Sequence, residues 1–151
     1  MSPPLRLVAG YPYCPQALKA PAGSSVADEF HVLLKEGGLA AVKSRVAACP
    51  ELLAELLPIV ANPAASINVR IGAGVVFEIH AGGPALRALL PQLGELCGHA
   101  DARVRADACH YLGLAGDARA RDYLAPRLQD ENAEVREIAA DSLEAIRTAE
   151  P

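Results

Sequence analysis

The stretch Asp101–Asp117, D-A-R-V-R-A-D-A-C-H-Y-L-G-L-A-G-D, decides the fold. Asp101 stands where a side chain caps a helix start, and Gly116 stands where a helix stops. Between them runs a helix of about four turns' length. Its Val104-Arg105 pair has echoes at Val69-Arg70 and Val135-Arg136. The echoes recur at intervals of roughly 30–35 residues, the signature of stacked supersecondary units.

Working outward from it, the region after Pro50 divides into three helix pairs. P-E-L-L-A-E-L-L-P-I-V-A precedes S-I-N-V-R-I-G-A-G-V-V-F-E-I-H-A-G-G. P-A-L-R-A-L-L-P-Q-L-G-E-L-C precedes the deciding stretch, and D-A-R-A-R-D-Y-L-A-P-R-L-Q-D precedes N-A-E-V-R-E-I-A-A-D-S-L-E-A-I. Each first helix holds an internal proline, Pro58, Pro91 or Pro126, which predicts a shared kink. Each second helix opens on a capping residue, Ser66, Asp101 or Asn132. One-sided helices of this kind bury their apolar faces only by stacking on neighbours. The helix from Ile67, apolar on much of its circumference, is expected to be the most buried of all. Its Gly72 and Gly74 predict close packing on a neighbouring helix.

Upstream, Ser25 caps a helix with Asp28 three residues on, Phe30, Leu33 and Leu34 share a face, and Gly37-Gly38 stops it. A second helix follows over Leu39–Ala48. Residues 1–24 differ: Pro3, Pro4, Pro12, Pro15 and Pro21 predict an extended N-terminal arm, with at most a short helix over Gln16–Lys19. The expected architecture is an all-α, right-handed short α-solenoid of seven to eight helices over residues 25–151, its second helices lining the concave face.

Composition narrows the function. The 151 residues are 52% hydrophobic but only 4% aromatic, with Ala and Leu dominant. A formal net charge of −4 argues against nucleic acid. Arg103, Arg105, Arg119 and Arg121 interleave with Asp101, Asp107, Asp117 and Asp122, so they predict a mixed, solvated face. No run approaches 18 consecutive apolar residues and the N-terminus lacks a convincing signal peptide, which points to a cytoplasmic protein that avoids membranes. Cys14, Cys49, Cys97 and Cys109 are scattered, as free thiols are.

The Val-Arg pairs, the preceding Asp or Asn, and the turn at Leu112–Asp117 resemble HEAT-like repeats of the short type found in phycobilisome-lyase-like proteins, over about residues 50–148. That resemblance implies an ion-pair ladder between units, carried here by Arg70, Arg105 and Arg136, with Asp101 and Asp130 as acceptors. It also leaves open a lyase-like accessory role, for which no chromophore contact stands out. Separately, Y-P-Y-C-P-Q-A-L at residues 11–18 resembles the C-P-Y-C-P-Q-A loop of thioredoxin-like proteins. Tyr11 replaces the nucleophilic cysteine and only Cys14 remains, so two-cysteine exchange is lost. The chain is similar to bacterial proteins that join a thioredoxin-like module to HEAT-like repeats, with that module reduced to a remnant.

Catalytic chemistry finds little support. Cys97-x-His99 and Cys109-His110 carry metal-ligating types, but adjacent helix residues point ~100° apart and do not share one ion. The two cysteines are expected as small buried hydrophobes. No His-Glu pair occurs, which argues against a di-iron enzyme. No cofactor, metal site or catalytic residue is therefore expected. The reading is a scaffold or adaptor that binds another protein through Asp107, His110, Glu137 and Asp141. The alternative is a redox-associated protein using Cys14. Acidic residues on the last helix should cap the stack, so a homodimer would use the arm or the first repeat.

Overall fold

A computed structural model describes residues 23–151, which form helices joined by turns and short loops with no strand among them. The expected arm, the Gln16–Lys19 helix and Cys14 lie outside the described residues. The chain opens with α1 (Val26–Lys35) and α2 (Leu39–Ala48). Ser25 and Asp28 form a reciprocal capping box, each side chain accepting from the other's backbone N–H at 3.1 Å. Gly37, at φ +84°, ends α1. Phe30 and Leu34 of α1 and Val42 and Val46 of α2 enter the core.

Three helix pairs follow. The second helices are continuous: α4 (Ile67–Ile79), α7 (Ala102–Ala115) and α9 (Ala133–Ala149). The first helices are not. A 3-10 turn over Pro50–Leu56 leads into α3 (Leu57–Val60), α5 (Pro84–Arg87) is separated from α6 (Leu90–Leu96), and α8 (Arg121–Leu124) sits between 3-10 segments Ala118–Ala120 and Ala125–Gln129. The sequence predicted a kink at Pro58, Pro91 and Pro126; the structure shows a switch between 3-10 and α geometry at Pro58 and Pro126, and a two-residue turn before the α-helical piece that holds Pro91. Proline offers no N–H to the preceding turn and its ring collides with the carbonyl four residues back. Each chain path resumes with the proline in the first turn of the next piece, where no donor is missed.

The repeats are tied at their ends. Gly116, at φ +62°, terminates α7 in the left-handed region. The carbonyls this exposes are satisfied from earlier in the chain: the Gly82 N–H at the end of the preceding unit donates to Leu114 O at 2.8 Å, and Arg87 Nε in the first helix of α7's own unit donates to Ala115 O at 3.2 Å. Close approach joins the second helices. A Cβ at Gly113 would stand 2.7 Å from the Ser142 side chain, so α7 and α9 meet almost backbone to backbone there. Gly72 faces Leu34 of α1, and Gly74 faces the Tyr111 hydroxyl of α7, so both helix glycines serve packing.

One expectation about burial is reversed. α7, not α4, is the most enclosed helix, with eight buried residues including Cys109, Tyr111 and Leu112. α4 buries Val69, Gly72, Ala73, Val76 and Phe77, yet leaves Ile67, Ile71 and Ile79 exposed. The reason is position. α7 has α6 on one side and α4 and α9 beside it, whereas no described residue covers the Ile67–Ile71 side of α4. No described helix is long and apolar enough to cross a membrane.

Candidate functional site

The second helices present one continuous surface, because each carries the same register from its cap. Counting back four residues from each repeat arginine gives the helix start: Ser66, Asp101 and Asn132. Asp101 Oδ1 accepts from the backbone N–H groups of Arg103 and Val104, and Asn132 Oδ1 from those of Glu134 and Val135. Ser66 holds the same position but makes no capping bond.

Six residues back lies a second row: Ala64, His99 and Asp130. Asp130 is the acceptor of the tie between repeats. Its carboxylate receives Arg105 Nε at 3.0 Å and Nη2 at 2.9 Å, a bidentate pair almost closed to solvent. Arg127 and the Asn132 N–H also donate to it, and these partners hold its carboxyl below the ordinary range. Arg105 Nη1 turns back to the carbonyls of His99 and Ala100. Arg136 repeats that inward contact on the Asp130 carbonyl at 2.7 Å.

The expected ladder role of Asp101 is corrected here. Asp101 is spent on capping α7, and the row position that faces Arg70 is occupied by His99, whose Nδ1 accepts the Asp101 N–H at 3.0 Å. Arg70 crosses directly to α7. It meets Asp107 through Nη2 at 2.6 Å and Nε at 3.2 Å. Asp107, expected as a free contact for a partner, is therefore committed to an ion pair. An acid occurs at this position in one unit only, where the others have Gly72 and Ile138, so no repeat pattern announces it.

Two shallow grooves follow from this packing. One, of about 360 Å³, runs between α4 and α7 and is floored by the Arg70–Asp107 pair, with Ile67, Ile71 and Val75 on one wall and His110 and Tyr111 on the other. Tyr111 stacks on Phe77 at 4.4 Å between centroids, and burial raises its hydroxyl pKa. The second groove, of about 320 Å³, lies between α7 and α9 and is lined by His110, Leu114, Ile138, Asp141 and Ala145. His110 is the ridge between them, so the structure brings Asp107, His110 and Asp141 onto one face. Glu137 is exposed on α9 but lines neither groove. Sequence reading missed Ile67 and Ile71, whose only signal was an apolar excess that also suits a buried helix.

A larger cleft, about 900 Å³, opens on the other side between α5, α6 and α8. Two of its charged groups have partners, Arg119 with Asp117 and Arg87 with the end of α7, and the exposed Asp122 lines it as well. Asp117 is pulled down to about 2 by Arg119 and the backbone N–H it accepts. Among the described residues no three His, Cys, Asp or Glu gather as a metal would require. A family model of HEAT repeats matches residues 53–144, and no curated protein matches the chain.

Proposed function

The chain belongs to the HEAT repeat family, and from that premise we propose that it is a protein-binding scaffold whose partner lies along α4 and α7. The observation that carries this reading is the exposure of Ile67 at 65% and Ile71 at 59%, one helical turn apart on a groove wall. Scattered single apolar residues need no explanation, but a stripe beside a groove marks a binding surface. Glu78 and Asp141 edge the same face, and the Arg70–Asp107 pair on its floor is neutral as a unit. The chemistry suits an apolar segment flanked by basic residues. Nothing in this reading asks for catalysis, nucleic acid or a membrane surface.

Binding of a partner recovered from the source cell is to be measured with the Ile67→Asp/Ile71→Asp variant and with Ala88→Asp at the opposite cleft. Burying two isoleucines stabilises a complex enough that the first variant should bind at least about tenfold more weakly. Ala88→Asp should bind as the parent does. The converse pattern would move the site to the first-helix side. Two finer readings rest on sequence resemblance alone: a lyase-like accessory role, from the Val-Arg repeats, and a redox-associated role for Cys14. A homodimer formed through the N-terminal segment or first repeat is a further proposal, answered by mass in solution.

A further inference from the structure

The groups left unused by the binding face include two buried thiols. Cys97 closes α6 and Cys109 lies two turns into α7, and their sulfurs stand 3.7 Å apart. Neither side chain reaches solvent, at 3% and 0% exposure. We propose that Cys97 and Cys109 form a reversible intramolecular disulfide when a small peroxide reaches them.

Geometry carries this. A disulfide needs sulfurs about 2.05 Å apart, so the pair must close by roughly 1.7 Å. Cys97 sits at the C-cap of α6, beyond its last full turn, where a side-chain swing meets the least resistance. The electrostatics favour a definite order. The two thiols share a contact that holds Cys109 below its ordinary pKa and Cys97 above its own, with Arg127 and Arg105 adding positive charge beside Cys109 against the opposing effects of burial and Asp130. Cys109 is then the first thiolate. It attacks one peroxide oxygen, the O–O bond breaks, and the departing hydroxide takes up a proton, leaving Cys109 as the sulfenic acid. Cys97 attacks that sulfur, the S–S bond forms and the S–O bond breaks, and the oxygen leaves as water with the Cys97 proton. Two thiols are oxidised by two electrons, and one hydrogen peroxide is reduced to two waters. Burial selects the oxidant, because a peroxide enters on local opening where a bulky disulfide reagent does not. The product fastens the end of α6 to the middle of α7, beside the arginine that ties α7 to the next repeat.

The test uses the full chain, reduced and then treated with hydrogen peroxide or with oxidised glutathione. Trypsin cuts after Arg103 and Arg105, between the two cysteines, so the bond joins two separate peptides. The expected result is a linked pair about 2 Da below the sum of its thiol forms, formed with peroxide and abolished by a reductant. Cys97→Ser should stop the reaction at a Cys109 sulfenic acid that a dimedone reagent traps. The oxidised protein should melt roughly 5 °C or more above the reduced one. Peroxide-treated protein with both cysteines still alkylatable would overturn the proposal. So would Cys97 or Cys109 bonded instead to Cys14 or Cys49.

Discussion

Replacing Asp130 by Ala removes the acceptor on which two repeats converge. Arg105 Nε and Nη2 lose their hydrogen-bond acceptor, with only the exposed Glu131 carboxylate left 3.6 Å from Nη2, Arg127 loses its ion pair, and the Asn132 N–H loses the Asp130 carboxylate. Breaking a deeply buried ion pair by removing one partner costs about 3–5 kcal/mol. Here the pair is covered but lies close to the surface, so solvent screening trims that figure. We expect about 2–3 kcal/mol, read as a lower urea midpoint at unchanged slope. The double-mutant cycle with Arg105→Met isolates the pair and should return a coupling of at least about 1 kcal/mol. The pH dependence has a definite sign. Asp130 has a lowered carboxyl pKa when folded, so its contribution is full above the ordinary value of 3.8 and is lost as pH falls through the folded value. Asp130→Asn should lack that part of the acid slope. A cost under about 0.5 kcal/mol, or a coupling near zero, would refute the role of this pair in holding the repeats together.

Gly113→Ala should destabilise by about 1–3 kcal/mol, because the new methyl has the Ser142 Cα 3.0 Å away as well as its side chain. Adding Ser142→Gly should recover part of that loss in thermal melts. Asp101→Ala and Asn132→Ala should each cost about 1 kcal/mol, while Ser66→Ala, which removes no capping bond, should cost less than half that in chemical denaturation. Ile71→Asp should leave stability within about 0.5 kcal/mol of the parent, since the side chain is exposed. An NMR titration should find the Asp117 carboxyl at about 2, returning toward the ordinary range in Arg119→Ala.

What was legible in the sequence was local. A cap and its helix are three residues apart, so Asp101 and Asn132 announce themselves, and the Val-Arg pairs place the helices that follow. Proline announces an interruption but not its form, because the choice between a kink and a 3-10 turn depends on what the outer layer packs against. The tie between repeats was half legible. Asp130 was expected as an acceptor and is one, whereas Asp101, expected as the other, caps α7, and His99 stands in the row that Asp130 occupies in the next unit. The partner of Arg70, Asp107, has no counterpart in the other units, so nothing periodic pointed to it. Gly113 lies in L-G-L-A-G, which resembles a turn, and only the approach of α9 reveals it as a contact inside α7. The exposed isoleucines were hidden because an apolar helix surface has the same letters whether a neighbour covers it or not.

The broken first helices imply an uneven clock across the molecule. A 3-10 segment makes poorer hydrogen bonds than an α-helix and cannot lengthen past its proline. Amide protons in Pro50–Val60, Pro84–Leu96 and Ala118–Gln129 should therefore exchange with solvent well before those at the centre of α7. Deuterium would enter from one side of the layered chain, and the last amides to exchange would be those between Asp101 and Gly116.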